Sequence, residues 1–293
     1  MQKIFRGAGV ALITPFRSDL QIDFESLGKV TASQIENGMD FLVALGTTAE
    51  TATLSHVEKQ QIIDFVVART AGRVPIMVGI GGNSTSEVID QINSFDLTKV
   101  DGILSVVPYY NKPSQEGIYQ HFMAIAAASP LPVILYNVPG RTGVNMSAET
   151  TLRLAHNAEN IVATKEASGN IGEIIKILKG KPDKFSLISG DDSFVVPTIA
   201  IGGEGVISVA ANLTPKLISS MTHYALHGDF NNAATIQLNI QSLIEYIFTE
   251  GNPSGVKAAM HSIGLIENYL RLPLVPVSDK LYQQLAEKTK KVL

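Results

Sequence analysis

Hydrophobic residues gather into eight short runs along the chain, each followed by a longer stretch in which polar and apolar residues mix. The runs are GVALITPF (9–16), FLVALGT (41–47), PIMVGIG (75–81), GILSVVPYY (102–110), PVILYNVP (132–139), IVATKEAS (161–168), FSLISGDD (185–192) and GVISVAAN (205–212). Most are continuous rather than alternating, the pattern of parallel strands covered on both faces. Their starts recur at roughly 20–34 residues, room for one crossover helix each. Helix signals sit between them. Ser55 with Glu58, Ser84 with Glu87, and Asn170 with Glu173 have the spacing of a capping box. Thr214 before Pro215 reads as an N-cap with proline at the first helical position. Over 24–37, Phe24, Leu27, Val30 and Ile35 fall near helical spacing, and the pattern stops at Gly38.

Eight strand–helix units in series predict an α/β fold, a TIM (β/α)8 barrel, over residues 1–228. A doubly wound sheet is the alternative, but it has fewer strands and a nucleotide-type glycine loop. Beyond residue 228 the strand pattern ceases. ATIQLNIQSLIEYIF, VKAAMHSIGLI and LYQQLAEKTKKVL predict a C-terminal three-helix extension over 229–293, broken at Gly251-Asn252-Pro253 and around Pro273 and Pro276. There is no low-complexity tract and no repeat finer than the strand–helix unit.

Composition narrows the picture further. The chain has 293 residues, 45% hydrophobic and 17% charged, with a net charge of −4. The length fits one large barrel as well as two average domains, and a chain of this size buries about 75% of its unfolded surface without staples. The absence of cysteine excludes disulfides, cysteine nucleophiles and thiolate metal sites. A mildly acidic balance with no basic run argues against nucleic-acid or anionic-membrane binding. The opening MQKIFRGAGVALITPF lacks the features of a signal peptide, and no apolar run reaches about 18 residues. A soluble cytoplasmic protein is expected.

In a barrel of this kind the reactive groups stand at the C-terminal strand ends. Those ends carry Thr47 and Thr48, Tyr109 and Tyr110, Tyr136 with Arg141 beyond it, Lys165 with Glu166, and Gly190-Asp191-Asp192. Lys165 is the most informative. Alternation places Ile161, Ala163 and Lys165 on one face. Burial there lowers the pKa of an ammonium group and yields an amine that attacks a carbonyl to form a Schiff base; the alternative is an ion pair with Glu166. Tyr136, one strand away, can carry protons for that chemistry or pack in the barrel as an ordinary tyrosine. Thr47 and Thr48 offer hydroxyls and backbone N–H groups to a small carboxylate, or simply an N-cap. Arg141 can hold a carboxylate bidentately, or pair on the surface. No phosphate loop is present, which disfavours nucleotides and phosphorylated substrates. The six histidines are scattered, and only His223 and His227 lie four apart. His227 reads as a complement to a helix dipole, and no metal site is expected.

This constellation resembles the dihydrodipicolinate synthase family, within the pyruvate-dependent class I aldolases that include N-acetylneuraminate lyase. The resemblance runs nearly end to end, through GTTAETATL, VVPYYNKPSQEGIYQHF, LYNVPGRTG, ATKEASGN, LISGDD and GVISVAAN. The lysine strand and the GxxxE turn mark the superfamily; NVPGRT and PYYNKPSQEG point to the synthase branch. The resemblance implies that Lys165 forms a Schiff base with pyruvate and that no separate cofactor is needed. It implies a proton relay of Tyr136, Thr47 and Tyr110, with Tyr110 crossing a tight-dimer interface into the neighbouring site. Thr48 and nearby backbone would hold the pyruvate carboxylate, Gly190 and Ile207 would line the pocket through their carbonyls, and Arg141 would bind the carboxylate of L-aspartate-4-semialdehyde. The product would be 4-hydroxy-tetrahydrodipicolinate, on the way to diaminopimelate and lysine, made by a homotetramer built from tight dimers.

A second implied site is allosteric, for L-lysine, at Thr51, Ala52, His56, Lys59, Asn83, Glu87 and Tyr109. Lys59 stands where many lysine-sensitive members have histidine. The local alternative is a capping box at Ser84 and Glu87, and a helix first turn at His56 and Lys59. The turn GTTAE carries Ala49 where the family has glycine, so its backbone must suit an L-residue there or be strained. A sibling aldolase acting on another aldehyde or a sugar acid is the alternative activity, and Arg141 argues against a polyol acceptor. A non-catalytic binding barrel is the remaining reading, and it requires that no imine form at Lys165.

Overall fold

The computed structural model describes residues 4–293. Eight parallel strands, β1 (Gly7–Ala11), β2 (Phe41–Ala44), β3 (Ile76–Gly79), β4 (Gly102–Val106), β5 (Val133–Asn137), β6 (Ile161–Glu166), β7 (Ser186–Ser189) and β8 (Gly205–Ser208), close into a barrel in sequence order. β1 pairs with both β2 and β8, so closure rules out the open doubly wound sheet. The three expected C-terminal helices follow, at Phe230–Phe248, Ser254–Ser262 and Asp279–Val292. Each strand is four to six residues long and lies at the start of its apolar run, β1 beginning two residues before it and β3, β5 and β7 one residue into it. The rest of each run leaves the ladder and builds the C-terminal rim.

The buried residues divide into two shells. Phe41, Val43, Met77, Leu104, Ile134, Tyr136, Ala163, Ile188 and Ile207 fill the barrel interior. Their strand neighbours Leu42, Ile76, Val78, Ile103, Val133, Leu135, Leu187 and Val206 face the helices. Continuous apolar strands are therefore two period-2 patterns superimposed, each burying its own face. Gly9 shows how tightly the inner shell packs. A Cβ there would lie 2.1 Å from Cε2 of Phe41, so the missing side chain is the space the ring occupies.

One expectation about β6 is corrected. Ile161 belongs to the outer shell, not to the face shared by Ala163 and Lys165. Val133 pairs with Ile161 but Ile134 pairs with Ala163, so the ladder skips Val162. That bulge resets the alternation, and Val162 packs toward the inner shell instead.

The helix caps follow the predicted spacing only in part. Ser55 and Glu58 form the full reciprocal box. Asn170 accepts from the Glu173 N–H, but the Glu173 carboxylate is engaged by Asn145 Nδ2 and the Ala148 N–H, so the return bond is absent. Ser84 makes no cap; its hydroxyl meets that of Ser86 at 3.2 Å. Pro215 does open its helix, but the Thr214 hydroxyl donates back to the Ala210 carbonyl. His227 closes that helix, its Nδ1 2.7 Å from the His223 carbonyl, while His223 Nε2 lies 2.7 Å from Asp40. The C-terminal extension is bound to the rim of the barrel, where Gln237 donates to the Asp192 carbonyl (3.0 Å) and Gln241 to the Ser193 hydroxyl (3.2 Å).

His121 carries a consequence for stability. It is 5% exposed, its Nδ1 meets the Thr85 hydroxyl at 2.9 Å, and its Nε2 has no partner. Burial pushes the imidazole down to about 4 from 6.5. The unfolded chain therefore takes up this proton before the folded one does. Stability is full above pH 6.5 and declines as pH falls toward 4, by about 3 kcal/mol at the limit. Denaturant midpoints at pH 7 and pH 5 should show this loss in the wild type and a smaller one in His121→Leu; equal losses would remove His121 as the cause.

Candidate active site

A cavity of about 330 Å³ opens at the C-terminal end of the barrel, walled by Thr47, Thr48, Tyr136, Arg141, Lys165 and Gly190 among others. The strand register assembles it. Tyr136 on β5 is the pairing partner of Lys165 on β6, which in turn pairs with Ile188 on β7. Lys165 is 5% exposed, and its Nζ stands 4.3 Å from the centroid of the Tyr136 ring, over its face. Glu166 does not neutralise it. Its carboxylate accepts from Asn137 Nδ2 (3.0 Å) and the Ser168 N–H (2.8 Å), across the strand from Lys165. Burial pushes the Glu166 carboxyl up, against the opposing effect of those hydrogen bonds. Among the described residues Lys165 makes no ion pair, so the amine has an aromatic face below it and the cavity in front.

Gly190 makes this room. A Cβ at that position would lie 2.7 Å from the Ala167 Cβ and 3.0 Å from Cε of Lys165. Its N–H donates to the Glu166 carbonyl at 2.8 Å, which fixes the backbone close to the lysine stem. Asp192, two residues on, accepts from the N–H groups of Val209 and Ala210 (3.0 Å each) and so ties the β7 and β8 ends together. Burial pushes its carboxyl up.

The threonine turn follows β2. Thr47–Ala49 and Thr51–Thr53 are two single 3-10 turns joined at Glu50, whose φ is 55°. The Thr51 hydroxyl donates to the carbonyls of Leu45 and Gly46, at 2.8 Å each. The left-handed residue is Glu50 and not Ala49, so alanine in GTTAE imposes no backbone strain. The Ala49 carbonyl instead accepts from the Thr14 hydroxyl at 2.8 Å. Thr47 is exposed, whereas Thr48 is buried with its Oγ1 accepting from Asn252 Nδ2 at 3.0 Å. Arg141 lies in the one-turn helix Pro139–Thr142, exposed, and its Nη2 donates to the Asn252 carbonyl at 3.1 Å.

The Ile207 side chain is packed in the inner shell, and Val209 stands in the cavity wall. Tyr110 is 87% exposed, with φ 73°, and does not line the cavity of its own chain. The sequence reading missed Asn252, Ser193, Glu245 and Phe248, which also line the wall, beside Asp191 from the strand end it did name. Three of these come from the extension, whose residues carry no strand-end signature. It also missed Lys257, wholly buried and paired with Glu50; the signal was a lone cation inside the apolar stretch Val256 to Met260.

A second cavity of about 570 Å³ shares Thr47, Tyr136, Arg141 and Asn252 with the first. Thr51, Ala52, Lys59, Asn83, Glu87 and Tyr109 line it, so six of the seven residues expected around an effector are together. His56 is apart from them, its ring stacked on Phe95 at 4.4 Å. Burial lowers the pKa of Lys59. Among the described residues no group of three or more histidine, aspartate and glutamate side chains could hold a metal ion, and no helix is long and apolar enough to cross a membrane.

The family model described as the dihydrodipicolinate synthetase family matches residues 4–292. The chain is 53% identical over 282 residues to the 4-hydroxy-tetrahydrodipicolinate synthase of Parabacteroides distasonis, covering 96% of this chain and 95% of that one. It superposes with a TM-score of 0.95 on a crystal structure of dihydrodipicolinate synthase from Acinetobacter baumannii complexed with pyruvate, at 41% identity and 98% coverage of both chains. With the enzyme from Cyanidioschyzon merolae, solved with lysine bound, the TM-score is 0.94 at 39% identity and 99% coverage of both.

Gly190→Ala tests whether space around Lys165 is what makes it reactive. The added methyl must displace Lys165 or Ala167, and a misplaced nucleophile loses about 10²-fold. Borohydride trapping of a small α-keto acid on Lys165 should slow accordingly while the unfolding midpoint stays near that of the wild type. Trapping at the wild-type rate would show that the glycine is not required.

Proposed function

The chain belongs to the dihydrodipicolinate synthetase family, and from that premise and the Lys165 cavity we infer that it condenses pyruvate with L-aspartate-4-semialdehyde. The product is 4-hydroxy-tetrahydrodipicolinate, made in the first committed step of diaminopimelate and lysine biosynthesis. The observation that carries the chemistry is a buried lysine with no acid partner among the described residues, one strand from a tyrosine and lining a cavity. The Lys165 amine adds to the ketone carbon of pyruvate, and the resulting carbinolamine loses water to give an imine. Loss of a methyl proton turns the imine into an enamine, whose carbon attacks the aldehyde. The aldehyde oxygen is protonated to the hydroxyl. The substrate's own amino group then attacks the imine carbon, closing the ring and returning Lys165 as the free amine.

No cofactor is needed, since the imine itself is the electron sink. Tyr136 and Thr47 carry the protons, completed by Tyr110 from a second copy of the chain. The exposure and left-handed backbone of Tyr110 support that reach. Thr48 and the turn around it receive the pyruvate carboxylate, Gly190 leaves space for the adduct, and Arg141 grips the carboxylate of the semialdehyde. The assembly is a homotetramer of tight dimers in the cytoplasm. Residues 1–228 act as the catalytic barrel and 229–293 as the helical domain closing its rim. L-Lysine is the effector of the second cavity, where Glu87 suits an ammonium group and Lys59 a carboxylate.

Pyruvate and borohydride should leave one reduced adduct on Lys165, read by mass spectrometry. Lys165→Arg should give none, because a guanidinium cannot supply a neutral nucleophile at ordinary pH. Tyr136→Phe should keep the adduct and slow turnover by about 10²–10⁴-fold. An unlabelled wild type, or an adduct elsewhere, would end the assignment. Coupled turnover with aspartate semialdehyde should exceed that with sugar aldehydes.

L-Lysine should inhibit turnover in a saturable way, and Glu87→Gln should weaken that inhibition without altering uninhibited turnover. A flat response of the wild type up to high lysine concentration would sink the effector reading.

A further inference from the structure

Among the described residues, Lys257 is the one charged residue in the set of largest wholly buried side chains. The proposed chemistry does not use it, yet all of its bonding capacity is engaged. Its Nζ pairs with Glu50, also fully buried, donates to the Tyr269 carbonyl at 3.0 Å, and lies 4.3 Å from the centroid of the Phe16 ring. The second oxygen of Glu50 accepts from the Arg271 N–H at 3.0 Å. The Arg271 guanidinium covers Phe16 at 4.5 Å and binds Glu58 at 2.5 Å. An ion pair removed from water gains little over a well-packed apolar pair, so stability alone does not account for it. What such a pair does supply is a fixed geometry.

The geometry in question is that of the threonine turn. Glu50 sits in the left-handed region between Thr47–Ala49 and Thr51–Thr53, a conformation disfavoured for any side chain larger than glycine. The turn keeps this shape while the Glu50 carboxylate is held from the far side. Five residues before Lys257, Asn252 makes two further links. Its Nδ2 donates to Thr48 Oγ1 at 3.0 Å and its carbonyl accepts from Arg141 at 3.1 Å. One short segment of the extension thus grips both of the groups that meet a substrate carboxylate.

We propose that Asn252 and Lys257 are positioning residues of the active site, setting the threonine turn and Arg141 at the spacing the two substrates require. Lys257 acts through Glu50, and Asn252 acts through Thr48 and Arg141. Within the barrel the turn has its own ties, from Thr14 to Ala49 and from Thr51 to Leu45 and Gly46, and the extension adds those that reach Glu50, Thr48 and Arg141. This rests on the reading that the threonine turn receives pyruvate and Arg141 the semialdehyde.

The test uses the full-length enzyme and follows borohydride trapping on Lys165 as a function of pyruvate concentration. Lys257→Met should raise the half-saturating pyruvate concentration by about tenfold while the rate at saturation changes by less than about threefold. The double variant Glu50→Gln/Lys257→Gln, which keeps a hydrogen bond without the charges, should return half-saturation to within about twofold of the wild type. Asn252→Ala leaves no buried charge behind, so it serves if Lys257→Met does not fold. It removes the Nδ2 bond to Thr48 but keeps the backbone carbonyl that meets Arg141, so it should raise half-saturation for pyruvate about tenfold and leave KM for the semialdehyde within about twofold. A folded Lys257→Met or Asn252→Ala protein with a lowered unfolding midpoint but unchanged half-saturation has lost only structural support, and overturns the proposal. Failure of the wild type to trap pyruvate would strike the Schiff-base assignment instead, a result distinct from either of these.

Discussion

Everything at the site depends on which face of β6 the lysine occupies. Side chains along a strand alternate, so a slip of one residue would send Lys165 toward the helices and bring Glu166 into the cavity. The bulge at Val162 sets the phase. Upstream of it Ile161 faces outward, and downstream Ala163 and Lys165 face inward. With that phase fixed, the parallel ladder places Tyr136 and Ile188 beside the lysine, and Glu166 is left to bond Asn137 and Ser168 on the other side. An amine without a neighbouring carboxylate is the condition for nucleophilic chemistry, and barrel closure enforces it. Gly190 adds the steric half of the condition, since a side chain there would press on Ala167 and on the lysine stem.

The strand pattern was legible because each strand is buried twice over. Two inner-shell and outer-shell alternations combine into one apolar run, and eight such runs at near-regular spacing leave few architectures open. Lys165, Tyr136, Thr47, Thr48, Arg141 and Gly190 were legible for a related reason, since all stand where a run ends and the rim begins, and they do line one cavity. What the sequence concealed was what long-range packing decides. The phase of β6 depends on a ladder irregularity that no spacing rule reveals. The capping box at Ser84 has the right spacing but its hydroxyl meets Ser86. His56 has the right sequence neighbours for the second cavity, yet Phe95 offers its ring a better surface. Asn252 and Lys257 lie more than two hundred residues from their partners Thr48 and Glu50, so no local pattern could join them.

The extension therefore has a different standing from the barrel. The barrel places Lys165 beside Tyr136 by register alone. The groups expected to hold carboxylates are in loops, the turn after β2 and the short helix after β5, and neither belongs to a ladder. Loops placed by their own hydrogen bonds open locally at modest cost. Here they are held from outside, by a buried cation and an asparagine that belong to the helices after the last strand.

That arrangement also bears on how the two cavities can influence each other. Thr47, Tyr136, Arg141 and Asn252 face both. A ligand in the larger cavity that favours one setting of these shared side chains alters substrate affinity in the smaller one, and substrate alters the ligand's affinity by the same factor. No movement of the barrel is needed, only a bias on side chains whose anchor is the Asn252–Lys257 segment. The stiffer that anchor, the smaller the range of settings a ligand can select, and so the weaker the coupling. On that reading, precision in substrate binding and sensitivity to an effector are opposed demands on the segment that carries Asn252 and Lys257.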